Sequence, residues 1–111
     1  MNSLASQLSI AHSLISKSSF SEANIILSRL CNEYPQSFDV CNLQSQLAKN
    51  NNNINSQYGF LEKSLKIEPH QPSVIIQLAN LCFKNNMLVK AEILYSDGVK
   101  LFPSDFKMSY N

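Results

Sequence analysis

Apolar positions along this chain recur at helical spacing in six stretches, each followed by a short polar break. Ser3 to Ser16, Phe38 to Lys49 and Ser73 to Lys84 carry a broad apolar stripe, as Leu78, Ala79, Leu81 and Cys82 illustrate, and the spacing predicts a helix over each. Ser21 to Glu33, Ile54 to Ile67 and Leu88 to Leu101 do the same, and no stretch alternates convincingly enough for a strand. The breaks within each pair are Lys17-Ser18-Ser19, Lys49 to Asn53 and Lys84-Asn85-Asn86. Asparagine tolerates the left-handed conformation that ends a helix, so it can stand where glycine usually would. The second stretch of each pair stops before Pro35, Pro69 or Pro103, because the residue ahead of a proline is pushed out of the helical region.

These three prolines are evenly spaced, since 69 minus 35 and 103 minus 69 are both 34. The same step aligns Ala11, Ser45 and Ala79, all small, and Leu27, Leu61 and Tyr95, all large. Phe20, Ile54 and Leu88 form another column, as do Cys31, Leu65 and Val99, while Ala23 returns as Ala91 with Gln57 between them. Size and polarity rarely persist by chance in so many columns. The chain is therefore expected to be all-α, one domain over residues 1–111, with repeats at 4–37, 38–71 and 72–105. Phe106 falls in the column of Phe38 and Pro72, so 106–111 is expected to open a further or capping helix. With Met108 and Tyr110 it is too short to cover a third repeat, so self-association or continuation of the array through this end is expected.

A 34-residue period of paired helices, with small residues midway along the first, an alanine early in the second and a proline at the boundary, resembles the tetratricopeptide repeat (TPR) family. The third repeat matches best, through Leu78, Ala79, Ala91, Tyr95, Gly98 and Pro103. The first keeps Ile10, Ala11, Leu14, Phe20, Ala23, Leu27 and Pro35. In the second, Gln44 and Gln57 stand where the family has an apolar and a small residue, and Val40, Leu43 and Leu47 offer a competing apolar stripe. Gln7, Cys41 and Ile75 occupy the early position where the family often has tryptophan. The resemblance implies a right-handed superhelical solenoid of antiparallel helix pairs, its concave side lined by the first helix of every repeat.

Such a groove is long and shallow, which suits a peptide or a partner helix better than a small substrate. Its lining is expected at Leu8, His12 and Ile15, at Asp39, Asn42, Gln46 and Lys49, and at Ser73, Ile76, Asn80 and Phe83. The amides of Asn42, Gln46 and Asn80 can donate to and accept from an extended backbone, while Leu8, Ile76 and Phe83 offer apolar contacts. Family members that clamp a terminal carboxylate use a cluster of lysine, arginine and asparagine. Leu8, His12, Leu43, Ser73 and Gln77 stand at those places here, so the charges needed to pair a carboxylate are missing.

Charge and composition narrow the function further. Nine basic against eight acidic residues leave a net charge of +1, which lacks the electrostatic footprint of non-specific nucleic-acid or anionic-membrane binding. Only two glycines are present, against a Gly-rich phosphate cradle. Neither His12 nor His70 lies at metal-ligand spacing from Cys31, Cys41 or Cys82, and no cofactor is expected. An odd number of cysteines leaves a thiol free, which suits a reducing compartment such as cytoplasm or nucleus, and the apolar columns suggest packed core thiols. The Ser-rich start lacks acidic residues like a transit peptide but also lacks arginine, and it is better read as the first amphipathic helix. No carboxylate or nucleophile supports His12 as a catalyst. The expected function is a non-catalytic scaffold or adaptor binding a protein or peptide; the alternative is a substrate-recruiting segment of a larger enzyme such as a transferase.

Overall fold

Helix ends in this protein are set by local chemistry that repeats every 34 residues. The computed structural model describes residues 3–104. It places α1 at Leu4–Ser16, α2 at Phe20–Glu33, α3 at Phe38–Asn50, α4 at Ile54–Ile67, α5 at Pro72–Lys84 and α6 at Leu88–Leu101, and no strand occurs among the described residues. First helices start at 4, 38 and 72 and second helices at 20, 54 and 88, a step of 34 each time. The chain is all-α, as expected. The expected further helix at 106–111 lies outside the described residues.

The boundaries differ from the sequence expectation by one residue, for identifiable reasons. Ser3 is a cap and not a first helical residue, its hydroxyl oxygen accepting from the Ser6 N–H at 3.2 Å. Ser37 caps α3 in the same way, accepting from the Val40 N–H at 3.4 Å. Pro72 joins α5 because a proline at the first helical position has its φ preset and no orphan N–H to satisfy. Tyr34 and Phe102, each ahead of a proline, lie at φ −130°, ψ 67° and φ −137°, ψ 67°, which ends α2 and α6.

Each first helix ends in the same turn. Ser18, Asn52 and Asn86 have φ of 63°, 56° and 61°, the left-handed region. Their N–H groups donate to the carbonyls of Ile15, Lys49 and Phe83 at 3.0, 3.1 and 3.2 Å. The next residues, Ser19, Asn53 and Met87, donate to Leu14, Ala48 and Cys82 at 2.8 Å each. This is the Schellman pattern, which satisfies carbonyls that the helix end would leave orphaned. The same residues then start the second helix: carbonyls of Ser19, Asn53 and Met87 accept from Ala23, Gln57 and Ala91 at 3.1, 3.0 and 3.0 Å. Three residues thus close one helix and open the next.

The chain divides into two compact units, Met1–Ile67 and Glu68–Asn111, the division falling just ahead of Pro69. In the first, α1 packs on α2, α3 on α4, and α3 also on both α1 and α2. Ala11, Ile15, Ala23, Leu27, Leu30, Val40 and Leu47 form its core cluster, edged by half-buried Leu4, Leu8, Leu14, Phe20, Ile26, Cys31 and Leu43. The two competing stripes of α3 are both used. Val40 and Leu47 join that cluster, and Cys41, Ser45 and Ala48 are buried as well, because α3 is covered by three helices. Gln44 is the misfit: its Oε1 is buried and has no hydrogen-bond partner.

In the second unit α5 packs on α6. Val74, Ile75, Leu78, Ala79 and Cys82 are buried along α5, and Ala91 and Gly98 along α6. The small-residue column is buried throughout, with Ala11, Ser45 and Ala79 at 0, 3 and 0% exposure. The column of Phe20, Ile54 and Leu88 is not uniform, because Ile54 and Leu88 are exposed while Phe20 is half-buried.

Two stability predictions follow from these positions. A Cβ at Gly59, inside α4, would meet no atom within 4 Å. Gly59→Ala should therefore stabilise the chain by about 0.5–1 kcal/mol, read as a higher denaturant midpoint at unchanged slope. Gln44→Leu removes a buried acceptor without a partner and should gain about 1–2 kcal/mol, and a loss in the same assay would mean that the amide is satisfied in solution.

Candidate functional surface

First-helix residues expected to read a partner are distributed over both units. In the first, Leu8 and His12 lie on α1 and Asp39, Asn42, Gln46 and Lys49 on α3, two helices that pack together. His12, Asp39 and Lys49 are exposed, and Leu8, Asn42 and Gln46 are half-buried. Spacings of three and four keep the α3 residues on one side of that helix. Ile15 departs from the expected set. It is 3% exposed and belongs to the core cluster, since an isoleucine covered there gains about 1.5–3 kcal/mol over one left in water. It is unavailable to a partner.

The amides expected to read a backbone are partly engaged within their own helix pairs. Asn42 Oδ1 accepts from the Ser64 hydroxyl at 2.6 Å, tying α3 to α4. The Asn42 carbonyl also accepts from the Ser45 hydroxyl at 2.7 Å, so Asn42 is held by both helices. In the second unit, Asn80 is exposed on α5 and its Oδ1 accepts from the Tyr95 hydroxyl of α6. Burial pushes the Tyr95 phenol up from its ordinary value. Ile76 is half-buried and Phe83 is 62% exposed, a large apolar surface left open at the end of α5. These ties fix the orientation of Asn42 and Asn80.

A second feature, absent from the expectation, is a position that is basic on α2 and α4 and is Asp97 on α6. Arg29 of α2 donates to the Oε1 of buried Gln7 on α1 and lies 3.9 Å from Glu33. One period later Lys63 of α4 donates to Cys31 Sγ at 3.8 Å. It also lies near enough to Cys41 to act on its titration. Burial pushes the Cys41 thiol up, the Lys63 ammonium pulls it back in part, and Cys31 adds to the rise. Two basic residues 34 apart were the available signal, and their contacts were not legible because both partners are remote in sequence.

Cys41 and Cys82 are buried, whereas Cys31 is only half-buried, so the reading of three packed thiols holds for two. Among the described residues no three His, Cys, Asp or Glu side chains gather as a metal set requires. Among those same residues, no helix is long and apolar enough to cross a membrane. No protein-family model matches the sequence, and no curated protein does.

The thiols give a direct check on this surface. An alkylating reagent at neutral pH should label Cys31 first, and Cys41 and Cys82 only as the chain unfolds, with peptide mapping assigning each site. Equal labelling of all three in the native chain would contradict the burial described.

Proposed function

We propose that this chain is a non-catalytic interaction module of the tetratricopeptide repeat type, binding a peptide or a partner helix through its first helices. The observation that carries this reading is the recurrence at 34 residues of helix starts, helix ends and left-handed turn residues together. A helix pair of this size does not bury both its apolar faces alone, so pairs of this kind stack into a solenoid and leave one face for a partner. Leu8, His12, Asp39, Asn42, Gln46 and Lys49 in the first unit, and Ile76, Asn80 and Phe83 in the second, are the contacts the reading assigns. Their mixture of amides, one apolar aromatic and few charges suits an extended, weakly charged peptide better than an acidic tail. The surroundings are taken to be cytoplasmic or nuclear, where thiols stay reduced.

Affinity capture from a cell extract with mass spectrometry tests the reading. His12→Ala with Gln46→Ala, and separately Ile76→Ala with Asn80→Ala, should each lower partner capture by about tenfold or more while helical circular dichroism is kept. Undiminished capture by both variants would place binding elsewhere, and a catalytic domain encoded in the same reading frame would favour a recruiting segment over a free-standing adaptor.

A further inference from the structure

The start of α6 is apolar at two positions that are polar in the other two pairs. Register positions that read Ser19, Phe20, Ser21 after α1 and Asn53, Ile54, Asn55 after α3 read Met87, Leu88, Val89 after α5. All three are exposed, Val89 by 74% and Leu88 by 54%. Phe83 stands open on the last turn of α5, and Ile93 is exposed one turn beyond Val89. Five large apolar side chains around one tip exceed the scattered singles that any surface carries.

Direction and charge restrict what can cover them. Leu88 and Val89 are consecutive, so they leave α6 about 100° apart, while Met87 precedes the helix. Val89 and Ile93 share one stripe of α6, but Leu88 leaves it by about 100° and Met87 and Phe83 precede the helix, so a single partner helix would not cover all five. A fluid apolar phase entered tip-first accepts all of them. Exposed Lys84 closes α5 and half-buried Lys90 lies in the first turn of α6, with Glu92 the first acidic residue after them. Lysine stems can lie along an apolar surface while the ammonium reaches phosphate level. The tip is also preformed, since Asn86 at φ 61° and the Met87 to Cys82 hydrogen bond fix its backbone before any contact is made.

We propose that the 87–89 tip inserts into the interface of an anionic bilayer, with Lys84 and Lys90 at the headgroup phosphates. This attachment shares Phe83 with the proposed first-helix surface and uses none of its other residues. A net charge of +1 over the whole chain gives no long-range attraction, so attachment rests on the apolar tip and on two cations acting within a Debye length.

The chain contains no tryptophan, so Leu88→Trp reports on the tip alone. With phosphatidylcholine vesicles containing phosphatidylserine, its emission should shift to the blue and be quenched by brominated acyl chains, and the unmodified chain should float with the vesicles. Lys84→Gln with Lys90→Gln should weaken binding by roughly tenfold or more, toward the level seen with pure phosphatidylcholine. Leu88→Asp with Val89→Asp should abolish flotation, with circular dichroism confirming that the helices remain. Emission unchanged by either vesicle, flotation that survives the double aspartate variant, or a dimer that this variant dissolves would each overturn the proposal. The last result would mean that a second copy covers the tip.

Discussion

One residue per repeat, held in the left-handed region, sets the geometry of every helix pair. Ser18, Asn52 and Asn86 let the chain reverse within three residues while the last carbonyls of the first helix stay bonded. A longer reversal would let the second helix slide along the first, and the small residues at Ala11, Ser45 and Ala79 would lose their buried positions. The short turn makes each register position equivalent to the one 34 residues away. Similar local chemistry therefore yields similar packing, although few side chains are identical between repeats.

Positions that repeat and face a neighbouring helix were legible in the sequence: the six helices, the proline stops, the asparagine turns and the buried small-residue column. Legibility failed where the surroundings of a column change along the chain. Spacing groups Ile15 with Leu8 and His12, but a core cluster covers it, whereas Phe83 in the same column stays open. Gln44 and Ile10 show the reverse problem, since the column of Leu78 is fully buried only in the third repeat. Side-chain contacts across 22 or 32 residues, from Arg29 to Gln7 and from Lys63 to Cys31, carry no local periodicity at all.

The regular frame and the irregular surface answer to different constraints. Columns that touch a neighbour tolerate only changes of similar size, because interiors are packed to crystal-like density. Columns facing water vary freely, so two positions that are serine in the first pair and asparagine in the second are methionine and valine in the third. The two proposed recognition chemistries then share Phe83 alone on one small chain: amides and a histidine on the first helices, apolar groups at one hairpin end.

The narrow sequence range of the core has a kinetic consequence. The cluster of the first unit runs only from Ala11 to Leu47, and its helices α1, α2 and α3 follow one another across connections of three and four residues. Little loop-closure entropy separates the unfolded chain from its first native contacts. Topologies this local are the fast folders among small proteins, and the interval during which exposed strands or half-formed cores could aggregate is correspondingly brief.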